Sequence, residues 1–215
     1  MTYRLYYSPG SCSTAAHIVL EEVGASFELQ RVPLEHGVAQ AADFLAVNPK
    51  GRVPALAIEG EPNVLTELPA ILLYLARRHA SSRMLPDDSL DEARCVEWLA
   101  WLAGWVHGMG YGALWRPERF VESSDHYAAV QANGRHLIES AYLQIERRLA
   151  DAGSWAMPCG YSIVDPFLLV LYRWGTRIGL PMLDSCPAWR SLVRQMLERP
   201  AVKKVLLHEG LSISA

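Results

Sequence analysis

The chain has 215 residues, 51% of them hydrophobic, which is enough to pack one large domain or two small ones without cross-links. Charged residues make up 20% and the net charge is only -3, so no basic face suited to nucleic-acid phosphates is implied and a polyanion partner is excluded from the reading. The opening MTYRLYYSPG lacks the charged-then-apolar pattern of a secretory signal, and apolar runs such as 167–172 are too short to cross a bilayer. A cytoplasmic protein without membrane contact is expected.

Residues 3–7 are aromatic and β-favouring and stop at Ser8-Pro9-Gly10, which predicts a short strand running into a tight turn. From Ser13 to Val23 the residues Ala16, Ile18, Val19, Leu20 and Val23 share one helical face, and Gly24 stands where a helix stop belongs. Residues 27–33 read as a second strand, followed by a polar, helical stretch and the turn signal Asn48-Pro49-Lys50-Gly51. Residues 53–58 predict a strand with a proline near its start, 59–63 a hairpin loop and 64–65 the return strand. The run AILLYLARRH after Pro69 predicts a helix whose last turn is basic, complementing its dipole. The order is β-α-β-α-β-β-α, ending near residue 80.

Residues 81–88 carry breakers and no apolar period, so they predict a linker between a domain at 1–80 and a second at 89–215. Everything beyond the linker reads as helix. The longest helix is expected to start near Ser89, with Asp91 and Glu92 at its positive end, and to carry VEWLAWLAGWVH. Ser162 and Asp165 stand three apart, the spacing of a reciprocal N-terminal cap, with Pro166 in the first turn. Residues 167–174 are then apolar nearly all round, as in a helix at the centre of a domain.

Four cysteines, Cys12, Cys95, Cys159 and Cys186, are widely spaced with no C-x-x-C pair, which argues against a zinc site or a disulfide framework; no metal is expected. Cys12 alone falls between a strand-ending turn and a helix start, where unpaired N–H groups favour a thiolate. It reads as a nucleophile, a hydrogen-bond donor or a buried core thiol. Val53-Pro54 at a strand entrance reads as a cis bond freeing the backbone of Val53 for an extended ligand, or as a plain edge proline. Glu67 before a helix reads as an anchor for a cationic amine or as charge complementing the dipole.

Taken in order, Tyr6-Tyr7-Ser8-Pro9-Gly10-Ser11-Cys12-Ser13, then Asn48-Pro49-Lys50-Gly51-Arg52-Val53-Pro54-Ala55-Leu56, then Thr66-Glu67-x-x-Ala70-Ile71-x-x-Tyr74-Leu75 resemble the glutathione transferases, in particular the bacterial beta class. His107 and Ser162-x-x-Asp165 extend the likeness into the second half. The resemblance implies a thioredoxin-like N-terminal domain that binds glutathione and an all-α C-terminal domain, assembled as a homodimer. It further implies that Cys12 contacts the glutathione sulfur, that Val53 and Pro54 pair with its cysteinyl part, that Glu67 holds its γ-glutamyl group and that His107 reaches back to Cys12. Arg52 and Leu68 join the glutathione-binding set. The implied activity is attack of the glutathione thiolate on a small apolar electrophile in detoxification, with a disulfide reductase using Cys12 and a noncatalytic carrier as alternatives.

Three departures from the family pattern stand out: Leu68 where a Ser or Gly is usual, Ala100 for an Asn, and Trp105 for a polar residue near His107. Leu68 is expected to add bulk at the γ-glutamyl end and lower affinity for glutathione. The electrophile pocket is expected between the domains and lined by Trp105, Tyr111 and Trp115, while Trp98 and Trp101 read as core. Ser11 and Ser13 flank Cys12 and share with it the candidacy for activating the thiol.

Overall fold

The computed structural model describes residues 1–33 and 42–215. Its N-terminal part is a four-stranded mixed sheet ordered β2-β1-β3-β4. Strand β1 (Thr2–Tyr7) runs parallel to β2 (Ser26–Arg31) with Leu5 opposite Leu29, and antiparallel to β3 (Ala55–Ile58) with Leu5 opposite Leu56. The two-residue β4 (Leu65–Thr66) closes the hairpin and sets Thr66 against Ala55. Helix α1 (Ser13–Glu22) joins β1 to β2, and Gly24 takes the left-handed conformation after it (φ 64°), as the sequence pattern requires. The expected polar helical stretch lies partly at 34–41, outside the described residues; its described end is α2 (Ala42–Val47). Helix α3 (Leu68–Arg78) buries Leu68, Ile71, Leu72 and Leu75 and ends on Arg77 and Arg78.

The rest is helical. Asp88 caps α4 (Ser89–Trp101), its carboxylate accepting from the N–H groups of Leu90 and Asp91. The expected single long α-helix is corrected here: α4 passes into a π-helical stretch, Leu102–Tyr111, and then a short α5 (Gly112–Trp115). Gly108 suits this winding, since a Cβ there would lie 3.1 Å from the carbonyl oxygen of Ala103, and π segments recur at functional sites. Helix α6 (Tyr127–Ala152) crosses this rod closely, because a Cβ on Gly134 would lie 2.8 Å from Ala113 Cβ, Gly110 O and Leu114 N. Helices α7 (Val164–Arg177), α8 (Met182–Ser185), α9 (Pro187–Glu198) and α10 (Pro200–Glu209) complete the chain. No helix among the described residues is long and apolar enough to cross a membrane.

One hydrophobic core runs from Leu5, Ile18 and Leu72 through Leu99 and Phe167 to Trp189 and Val205, so sheet and helices share it. At its centre α7 is buried almost all round, as its apolar sequence demands. Asp165 starts it, accepting from Ser162 N–H (2.7 Å) and Ser162 Oγ–H (3.1 Å), while Ser162 Oγ accepts from Val164 N–H (3.3 Å) rather than the N–H one residue later. The other carboxylate oxygen takes the Ala156 N–H at 3.0 Å, tying in the preceding loop. Burial lifts Asp165 to about 6, held from going further by these donors.

Candidate active site

The loop from Ser8 to Cys12 leaves the C-terminal end of β1 and starts α1. Its shape is fixed by hydroxyls: Ser13 Oγ accepts from Ser8 N–H (3.0 Å), donates to Ser8 O (3.2 Å) and lies 2.7 Å from Ser11 Oγ, which accepts from Ser13 N–H (3.2 Å). Ser13 is therefore a buried turn-former, committed to the backbone. Gly10 sits at φ 70°, and a Cβ there would meet the Arg173 guanidinium at 2.8 Å.

Two distant helices hold this loop. Trp174 of α7 donates its indole N–H to Gly10 O at 2.8 Å. From α10, Glu209 accepts from Gly10 N–H (2.9 Å) and Thr14 Oγ–H (2.7 Å) through Oε2, and its Oε1 lies 2.8 Å from His17 Nδ1. Thr14, His17 and Glu209 are all buried.

Cys12 is buried, and its Sγ lies 3.5 Å from Val53 O, which it meets as a donor. Burial pushes the thiol up to about 12, with the Glu67 carboxylate adding to the rise and the α1 start and Arg52 opposing it. The thiolate expected from a helix N-terminus is thus overturned by desolvation: the thiol is neutral across the ordinary pH range. The loop opposite is shaped by Asn48, whose side chain donates to Arg52 O (2.7 Å) and accepts from Lys50 N–H (3.1 Å). The Val53–Pro54 peptide is cis. Among the described residues Val53 N–H has no hydrogen-bond partner, and Arg52 projects into solvent with no ion pair.

Glu67 takes a left-handed backbone (φ 69°, ψ 118°), a conformation that costs a non-glycine residue about 1–3 kcal/mol and turns the chain sharply from β4 into α3. Its carboxylate points outward, 2.6 Å from Lys50 Nζ. Leu68 departs from expectation: its side chain packs in the core, so it brings no bulk to this end and leaves only its backbone N–H facing the helix start.

His107 sits mid-way along the π stretch with its ring 5.0 Å from Trp174 and 6.4 Å from Phe167, edge-on to both. Burial, then the positive charges of Arg52 and Arg119, lower it to about 4, so the imidazole is neutral. Arg52 and Glu67 act electrostatically on both Cys12 and His107. The expected contact of His107 with Cys12 is not a hydrogen bond here, since Cys12 is engaged by Val53.

Of the three expected pocket residues, Tyr111 is corrected to core, 1% exposed with its hydroxyl 2.6 Å from that of Tyr142. Trp115 is half-buried against Tyr111 and Trp174, with ring centroids 4.5 and 5.0 Å away. Trp105 is 45% exposed and stands in solvent. Trp174, Glu209 and Arg119 carry no motif in the sequence and lie in the half read simply as helix; Arg119 falls in a short 3-10 turn, Pro117–Arg119. Among the described residues no cluster of three His, Cys, Asp or Glu side chains could hold a metal ion.

This arrangement matches known proteins along the whole chain. The profile of the glutathione S-transferase N-terminal domain fits residues 10–78. Glutathione S-transferase GstA of Escherichia coli O157:H7 is 33% identical over 97% of this chain and 99% of its own. The chain belongs to the glutathione transferase family. Among solved structures, the beta class glutathione S-transferase of Sphingomonas chungbukensis is 32% identical with a TM-score of 0.82, covering 97% of this chain and 100% of that one. A glutathione transferase homologue from Sulfitobacter, with bound glutathione, superposes with a TM-score of 0.91 at 26% identity over 98% and 99% of the two chains. This transferase has the thioredoxin-like sheet and the all-α second half of that fold.

Proposed function

We propose that this transferase binds glutathione between Cys12, Val53 and the start of α3 and directs its thiolate at a small apolar electrophile. The observation that carries the reading is the Cys12 thiol 3.5 Å from Val53 O, with the Val53 N–H unpaired among the described residues and the Glu67 carboxylate turned outward. A tripeptide laid along this line pairs its backbone with Val53, sets its sulfur against Cys12 and brings its γ-glutamyl group to Glu67 and the Leu68 N–H. Cys12, being protonated, serves as a donor that stabilises the glutathione thiolate rather than as a nucleophile, which favours conjugation over the disulfide-reductase reading. Neutral His107 steadies the sulfur or relays a proton, and Arg52 meets a carboxylate of the tripeptide. Trp115 and Trp105 flank the electrophile's approach. The enzyme works in the cytoplasm as a homodimer, with the exposed Met109 and Phe120 favouring a covered face.

Calorimetric titration with glutathione, followed by turnover of a chloronitrobenzene, tests the reading. Cys12→Ser, which keeps a donor, should retain most of the conjugation rate, whereas Cys12→Ala should lower kcat/KM by roughly tenfold or more. Full loss in Cys12→Ser, together with a stable glutathione adduct on Cys12 in the parent, would favour the reductase. No binding at millimolar glutathione would leave the carrier.

A further inference from the structure

Lys50 occupies the position in which the proposed site needs a ligand's positive charge. The Asn48 turn fixes its backbone, since Asn48 Oδ1 accepts from Lys50 N–H at 3.1 Å, and the side chain reaches across the hairpin edge to the end of β4. There its ammonium donates to Thr66 Oγ1 at 2.9 Å and to Glu67 Oε1 at 2.6 Å. The strained turn at Glu67 presents its carboxylate outward, and the chain's own cation already neutralises it.

We propose that Lys50 is an intramolecular competitor for the amino group of the γ-glutamyl moiety, and so sets the affinity of this transferase for glutathione. The inference rests on the glutathione-binding reading above. A ligand that brings an ammonium must displace Lys50 from Glu67 and Thr66. A ligand that lacks one leaves the pair in place.

The size of the effect follows from exposure. The Lys50 and Glu67 side chains are 51% and 63% exposed, so water and salt screen the pair and its displacement is easy. Exposed pairs of this kind correspond to about a two- to fivefold change in an equilibrium constant. Lys50 therefore tunes affinity without closing the site, and it limits affinity by a route that does not involve Leu68, whose side chain is in the core.

The test compares two ligands by calorimetry: glutathione, and its analogue in which a glutaryl group replaces γ-glutamyl, removing only the amine. Lys50→Met should tighten glutathione binding about two- to fivefold in low salt, with a smaller gain at 0.5 M salt, and leave the glutaryl analogue's affinity where it was. In a Glu67→Gln background the same substitution should no longer tighten glutathione. If Lys50→Met weakens both ligands, Lys50 is a direct ligand contact and the competitor role is overturned. Equal tightening of both ligands overturns it too, because the amine is then not what Lys50 opposes. Failure of the parent and the variant to bind either ligand overturns the glutathione reading itself, and this inference with it.

Discussion

Burial acts on Cys12 and His107 in the same physical direction, toward the neutral form, and therefore in opposite directions on the pH scale. Removing water raises the thiol to about 12 and lowers the imidazole to about 4, and Arg52 and Arg119 push His107 further down by repelling a second cation. An unfolded His107 titrates near the ordinary value of 6.5, so between about 6.5 and 4 the unfolded chain holds more protons at this position than the folded one. Its contribution to stability is thus complete above pH 6.5 and is lost as the pH falls toward 4. Asp165 has the reverse sign: its folded value of about 6 lies above the free 3.8, so its contribution declines as pH rises through that window. The His107→Gln variant removes one of these two terms. Its melting temperature should fall less than the parent's between pH 7 and pH 4.5, and an equal fall in both proteins would show that His107 is charged in the fold. The positions of these residues were legible as a series of motifs, but their protonation was not, because it depends on how much water the neighbouring helices exclude.

At the scale of elements, the sequence marks ends better than interiors. Ser8-Pro9-Gly10, Gly24 and Asn48-Pro49 stop the strands and helices where the turns occur, since each supplies a backbone conformation that other residues resist. The π stretch leaves no mark in the sequence, because Leu102, Val106 and Tyr111 keep an apolar face in either winding and periodicity does not separate the two. The start of α7 was readable from Ser162 and Asp165, yet the bond from Ala156 N–H joins a loop whose approach no local spacing encodes. That bond raises the expected cost of Asp165→Ala. Exposed caps lose about 0.5–2 kcal/mol on such a change, and here the buried N–H groups of Ala156 and Ser162 are also stranded, so a loss of at least about 2 kcal/mol is expected. Thermal unfolding should register it as a drop of several degrees. An inactive variant with the parent's melting point would instead make Asp165 part of the chemistry.

For the molecule as a whole, the decisive feature is that the loop carrying Cys12 is held from the far end of the chain. Glu209 gathers Gly10 N–H, Thr14 Oγ–H and His17 Nδ1 around one buried carboxylate, while the Tyr7 hydroxyl lies 3.3 Å from His208 Nε2 next to it. Arg199 adds a two-pronged pair with Glu22 at 2.6 and 2.8 Å, so α10 and the residue before it fasten both ends of α1. A sequence read locally gives Glu209 as the last residue of a terminal helix, and only the closed core reveals its partners. Glu209→Ala would leave three buried polar groups without an acceptor, at about 1–3 kcal/mol for each that water fails to reach. Glu209→Gln keeps an oxygen for both Gly10 N–H and Thr14 Oγ–H and should lose less. The distinctive expectation concerns where the loss appears. All seven tryptophans lie at residue 98 or later, so fluorescence follows the helical half, and hydrogen exchange of peptides from β1 and α1 follows the sheet. Because one core and this clamp join the halves, the parent should unfold with both probes coincident. In Glu209→Ala the β1 and α1 peptides should exchange well before tryptophan fluorescence changes, and glutathione affinity should fall along with their protection. If both probes shift together and the affinity of the folded variant is intact, Glu209 acts only on global stability and the loop holds its shape through Trp174 and the serine hydroxyls alone.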